Sequence, residues 1–274
     1  MSSQRRVLLR GDDLLLADVW CAPAAPGWTP TRPASVFGLV MVRRGLVRGR
    51  IQGVEQVLDP AGVYVERPGS EQQFAHPCGE DVYTEIILSE PQLATILGGD
   101  PTVPDGLVYT TPQLTLAHRL LLARAHAGDD AFEVCERAVV LAADLLAQLA
   151  ARRVVSGRPR SAAARRRLAD DARAALGADV TRGLNCLARA VGCSPYHLSR
   201  VFREETGATL THYRNRLRLA HALDRLSEGE RDLALLAHDL HYSDQSHLTH
   251  ALRRATGLTP GRLRTLLHRV SPTR

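Results

Sequence analysis

The chain contains no lysine; all 35 of its basic side chains are arginine. Genome composition alone accounts for that absence, but it removes nothing needed for meeting a polyanion, since arginine grips phosphate and guanine with two parallel donors. No apolar run approaches the roughly 20 residues that span a bilayer. Charges interrupt the first residues, MSSQRRVLLRGDDLLL, so no apolar signal core is present. The expectation is a soluble cytoplasmic protein with no membrane partner. The cysteines are five, an odd number, and none are spaced C-x-x-C. That argues against a disulfide framework and a structural zinc site. The 274 residues suit about two domains.

What is present is a charge imbalance and a repeat. Residues 158–274 hold 21 Arg against 11 acidic residues, a net of +10, whereas residues 1–157 hold 14 against 18, a net of −4. The basic half also carries one pattern twice, about fifty positions apart: LARAVGCSPYHLSRVFREETG at 187–207 and LAHDLHYSDQSHLTHALRRATG at 236–257. Each copy reads as two short helices joined by a tight turn, the second helix starting at a serine cap (Ser194, matched by Ser243). Two such units in a basic region point to DNA.

Along the chain, residues 5–90 read as β. Short apolar runs at 36–42, 46–52, 54–58, 63–65, 72–76 and 82–88 alternate with Gly/Pro turns such as Asp59-Pro60-Ala61-Gly62, the rhythm of a sandwich or barrel. Residues 91–152 switch to helical spacing, with helices over 114–127 and 132–149 that pack on the barrel or pair two subunits. The basic stretch 153–163, with Gly157 and Pro159, reads as a linker. A helix over 162–176 follows. The division expected is a sensing and dimerisation domain over 1–152, the linker, and a DNA-binding domain over 164–274.

In the first unit, residues 181–191 form the supporting helix and Gly192 takes the sharp bend. Leu198, Val201 and Phe202 turn inward, leaving Ser194, Tyr196, His197, Ser199, Arg200 and Arg203 toward DNA. In the second, Leu248 and Leu252 turn inward, leaving Gln245, Ser246, His247, Thr249, His250 and Arg253, with Asp244 as a cap. A helix over 211–226 joins the units; its 16 residues measure roughly 24 Å, enough to place the readers near successive major grooves. Arg214 and Arg218, off its apolar stripe, are expected at phosphates.

These motifs, with HYRNRLRLAHAL between them and LTPGRLR after the second, resemble the AraC/XylS family of bacterial transcription regulators from about residue 172 to 267. The resemblance implies seven helices, two helix-turn-helix units and binding to double-stranded promoter DNA, commonly as an activator working with RNA polymerase. Three departures stand out. His241-Tyr242 replaces a usual Gly-Phe, His247 to Leu252 replaces a Tyr-Phe-Ser-Arg-x-Phe-like run, and Thr209-Leu210 replaces a frequent Ser-Pro. In many relatives the first reader makes most base contacts, and the same bias is expected here. The N-terminal half resembles the family's cupin-like sensing domain more weakly. The fold class expected is therefore α+β: a cupin-like β-barrel with following helices, then an all-α domain of two helix-turn-helix units, assembled as a homodimer.

A barrel interior lined by Val36, Leu39, Met41, Val63, Val65, Phe74 and Ile86 would hold a small apolar effector, although a filled core uses the same residue types. Arg43, Arg44, Arg48 and Arg50 would attract an anion only if they pointed inward. Metal-binding cupins need a His-x-His and a nearby Glu; this chain offers His76, Cys78 and Glu85, so no cofactor or metal is expected. A repair methyl acceptor would need four zinc cysteines and a Pro-Cys-His-type site, which are absent. The expectation is a regulator and not an enzyme; the rival is a regulator of the same type with no ligand, governed by abundance or by a partner protein.

Overall fold

The computed structural model describes residues 2–22, 27–103, 107–151 and 159–268. It is an α+β chain, as the sequence implies. Two antiparallel sheets face each other as a flattened barrel. The larger holds, in order, β1 (Ser2–Arg10), β2 (Leu14–Ala22), β9 (Asp81–Leu88), β4 (Phe37–Arg44), β7 (Gly62–Glu66) and β10 (Leu107–Tyr109). The smaller holds β3 (Arg32–Pro33), β8 (Glu71–Ala75), β5 (Val47–Ile51) and β6 (Val54–Leu58). The turn from β6 to β7 forms because the Asp59 carboxylate accepts from the Ala61 amide at 3.0 Å, and Pro60 presets the bend.

Three helices follow: α1 (Glu90–Leu97), α2 (Pro112–Ala127) and α3 (Ala131–Ala151). Ser89 and Thr111 cap the first two, each followed closely by proline. Together they cover the outer face of the larger sheet. That layer is the main core, in which Leu39, Met41, Val63, Val65 and Ile86 meet Leu93, Leu121, Leu141 and Leu145.

This placement corrects the effector set. Leu39 pairs with Val65 on one side and Ile86 on the other, so these side chains do share a face. It is the face the helices seal, however, and the gap between β4, α2 and α3 holds only about 10 Å³. The wall facing the other sheet is built by Val40, Val42, Tyr64 and Tyr83 with Val47, Ile51 and Phe74. Of the seven proposed residues only Phe74 belongs to it. Val36, half-buried, lies at an open groove of about 530 Å³ with Phe37, Arg67, Leu93 and Val103.

The four arginines are all engaged. Arg43 is buried and donates to Asp18 at 2.8 Å; Arg48 and Arg50 both hold Glu55 at 2.6 Å and lie over the Trp28 ring. Arg44 reaches out of the barrel to Asp224 at 3.2 Å and to Glu228.

Seven helices complete the chain: α4 (Pro159–Ala178), α5 (Leu184–Ala190), α6 (Pro195–Thr206), α7 (Leu210–Ser227), α8 (Leu233–Asp239), α9 (Gln245–Thr256) and α10 (Pro260–Leu267). The expected linker lies largely outside the described residues. Its last five positions, 159–163, are helix, because Pro159 suits a first turn and the alanines after it favour helix.

Candidate nucleic-acid interface

The first unit is α5, a turn, and α6. Gly192 takes φ +73°, and the Cys193 amide donates to the Ala188 carbonyl at 2.9 Å to close the turn. Ser194 then caps α6, its hydroxyl accepting from the His197 amide at 3.2 Å, with Pro195 in the first turn. Leu198, Val201 and Phe202 are fully buried, and Leu198 and Phe202 pack with Leu187, Ala188, Tyr213 and Leu217. The opposite face is bare: Tyr196 is 79% exposed, and His197, Arg200 and Arg203 are exposed beside half-buried Ser199. The expected supporting helix is shorter at its start than the sequence implied, and Leu184 is left exposed.

An open groove of about 670 Å³ runs along this face, lined by Tyr196, Ser199, Arg200 and Arg203 together with Thr209 and Thr211. Thr211 was not among the expected residues. The signal for it is Thr209, which caps α7 by accepting from the His212 amide at 3.2 Å and so aims the positive end of that helix at the groove.

The second unit repeats the plan with one change. Its sharp turn falls on His241, φ +56°, a residue with a Cβ where the first unit has glycine. One extra residue then enters, so the cap is not Ser243 but Asp244, which accepts from the His247 amide at 2.8 Å. That backbone bond, against slight burial, holds the Asp244 carboxylate below its usual range. Ser243 instead contacts His247 Nδ1 at 3.1 Å, and the His247 ring stands edge-on to Tyr242 at 5.1 Å. Gln245, Ser246, His250 and Arg253 are exposed and Thr249 is half-buried. Leu248 and Leu252 close the inner face.

Arg214 lines a second groove, of about 760 Å³, with His212, His247 and Arg254. Arg218 lines the same groove from deeper in the wall. It is 8% exposed, and its guanidinium lies 5.2 Å from the Tyr242 ring centre. Burial, and then the charge of Arg214, lower its affinity for a proton. That cation–π contact braces α7 against the second turn. One position on α7 separates stripe from brace, and the spacing of apolar residues does not resolve that.

Both units are tied to the barrel. Tyr213 of α7 donates to Asp59 Oδ2 at 2.7 Å, and Arg173 of α4 donates to the same tyrosine oxygen at 2.7 Å and to Asp170 at 2.7 Å. Arg173 also lies 3.2 Å from Asp59 Oδ2; both side chains are wholly buried. Burial pushes the Tyr213 hydroxyl well above its usual range, so it stays a donor. The second unit sits on α2, whose Leu116 and Leu120 pack into the cluster of Leu219, Leu223, Leu248, Leu252 and Leu263.

Residues 187–265 match the family described as "Helix-turn-helix domain". Over 78 residues the chain is 35% identical to the HTH-type transcriptional regulator GlxA of Rhizobium meliloti (strain 1021), covering 28% of this chain and 24% of that protein. Over 106 residues it is 32% identical to the HTH-type transcriptional activator RhaR of Klebsiella pneumoniae subsp. pneumoniae, covering 38% of each. The matched stretch therefore spans between about a quarter and two fifths of those relatives. Among solved structures, unsaturated fatty acid-bound ToxT of Vibrio cholerae is 8% identical, with 96% of this chain and 99% of that one covered at a TM-score of 0.38. Over residues 187–265 the chain carries a helix-turn-helix domain, similar to those of the transcriptional regulators GlxA and RhaR.

Proposed function

We propose that this protein is a one-component transcription activator, with a sensing domain over residues 1–152 and a promoter-binding domain over 164–274. The observation that carries the reading is the division of α6. One face is closed into a core, and the other presents Tyr196, His197, Arg200 and Arg203 to solvent beside the capped start of α7. Aromatic, imidazole and guanidinium groups on a rigid helix suit base edges and phosphates in a major groove. The second reader, through Gln245, Ser246, Thr249, His250 and Arg253, supports the first.

The protein works as a cytoplasmic homodimer that engages RNA polymerase. On α3, Phe132 is 79% and Val140 55% exposed, two apolar side chains open to a second subunit. Among the described residues no helix is long and apolar enough to cross a membrane. A small effector enters at the Val36 groove. The filled helix side of the larger sheet favours a second reading, a regulator that needs no ligand. Fluorescence anisotropy with promoter fragments selected from genomic DNA tests the first claim; salt-sensitive, sequence-selective binding is expected, and equal binding to random duplex defeats it. Melting-temperature shifts with metabolite pools separate the two readings.

A further inference from the structure

Inside the barrel, three donor side chains distant in sequence come together. Cys21 near the end of β2 lies directly across from Asp81 at the start of β9. Directly opposed residues of antiparallel strands place their side chains on one face about 4.5–5.5 Å apart, so the register fixes this pair. His76 follows the last residue of β8, in a turn closed by the Gly79 amide on the His76 carbonyl at 3.2 Å. On the other side the backbone of Gly45 approaches so closely that a Cβ there would lie 2.8 Å from Asp81 Cβ, which pins the carboxylate in place.

All three side chains are buried, at 3%, 8% and 1% exposure for Cys21, His76 and Asp81. One donor atom from each lies within 4.8 Å of the other two. Cys21 Sγ is 3.8 Å from His76 Nε2. Two ligands at tetrahedral positions on one zinc ion, at bond lengths of about 2.3 and 2.0 Å, stand about 3.5 Å apart, so little movement is needed. His76 Nδ1 is hydrogen-bonded to Asp81 Oδ2, which leaves the Nε2 lone pair toward the sulfur, the arrangement a carboxylate imposes on a metal-binding imidazole. Asp81 Oδ1 is buried with no hydrogen-bond partner. An ionised oxygen left so is costly unless a cation meets it.

A space-filling cysteine beside an ordinary buried pair leaves that oxygen unexplained. We propose that Cys21 Sγ and His76 Nε2 ligate one divalent cation of borderline softness, of the zinc class, between the two sheets, with Asp81 holding the imidazole and balancing the charge. Thiolate and imidazole are donors such an ion prefers. Binding releases the Cys21 proton to solvent. Two protein donors leave the remaining positions to water or another small ligand. The set differs from the sequence expectation, because Cys78 is exposed in the turn and Glu85 pairs with Arg5 at 2.7 Å.

The test is cobalt(II) titration of the full chain after stripping with a chelator. One equivalent should bind with a thiolate-to-cobalt charge-transfer band that zinc abolishes. Cys78→Ser should keep the band, Cys21→Ser should lose it, and Asp81→Asn should weaken cobalt binding at least tenfold. A chain in which Cys78, Cys135, Cys186 and Cys193 are all serine should retain the band, which guards against a Cys21→Ser that fails to fold. No band in the wild-type chain at saturating cobalt, loss of the band when Cys21 is the sole cysteine, or a band that survives Cys21→Ser overturns the site.

Discussion

The two helix-turn-helix units grow from one repeated pattern, yet the molecule holds them differently. The first is bolted to the barrel through polar groups: Tyr213, packed under α6, meets Asp59 and Arg173 in a node sealed from water. The second rests mainly on leucines, with Leu116 and Leu120 of α2 entering its core and Arg44 pairing with Asp224 at the partly exposed end of α7. Their outer faces differ as well. Arg200 of the first corresponds to His250 of the second, and Tyr196 to Ser246. Both histidines are exposed, but His247 contacts Ser243 and Tyr242. A buried charged node specifies one geometry, because its groups accept few partners; an apolar seat tolerates sliding. On that comparison a change in α2 is expected to displace the second unit more than the first.

The sharpest way to break this comparison is to remove the node. Asp59→Ala leaves Arg173 buried without its main counter-charge, and the expected loss is about 3–5 kcal/mol in urea-unfolding stability. Leu116→Ala, on the second unit's seat, should cost less than that, since Leu116 is only partly buried. If the two variants melt alike, the distinction between bolt and seat fails. Next come the matched core leucines. Leu187 and Leu236 occupy the same place in the two copies, at 2% and 0% exposure. Each change to Ala should cost about 2–5 kcal/mol. A wild-type melting curve for either would place that helix outside the core.

Smaller in energy, but closer to function, is the outer face. Arg200→Ala should weaken binding to a selected promoter fragment by about 1–3 kcal/mol, about fivefold or more, with the melting temperature unchanged. His250→Ala at the equivalent position should change affinity less than threefold in the same anisotropy measurement. Equal losses would make the second unit a reader of the same rank.

Much of this was legible beforehand because the relevant signals are local. Strand β6 fell on the expected 54–58, Gly192 took the positive φ its turn demanded, and Ser194 and Asp244 capped as read. What failed is what only register and packing decide. Both faces of β4 are apolar, Leu39 and Met41 on one and Val40 and Val42 on the other, so the alternation could not say which face the helices cover. Arg218 looked free because nothing in its neighbourhood names Tyr242 as a partner. Strands β1 and β2 were not delimited, and with β2 went Cys21, which meets His76, 55 residues on, only because the end of β2 in one sheet lies against the turn after β8 in the other.

The finest difference between the units lies in their turns. At φ +73° Gly192 is unstrained, while His241 at φ +56° holds a Cβ in the left-handed region. That conformation costs an ordinary residue about 1–2 kcal/mol, and glycine gives back about 0.5–1 kcal/mol through the greater freedom of its unfolded chain. His241→Gly should therefore stabilise the protein by about 0.5–1 kcal/mol, read as a small rise in melting temperature, while Gly192→Ala should lower it by a similar amount. The signs must oppose, since one change relieves the strain that the other creates. Should His241→Gly destabilise, the exposed imidazole does more than occupy a bend, and the second turn owes its shape to a contact made by that side chain.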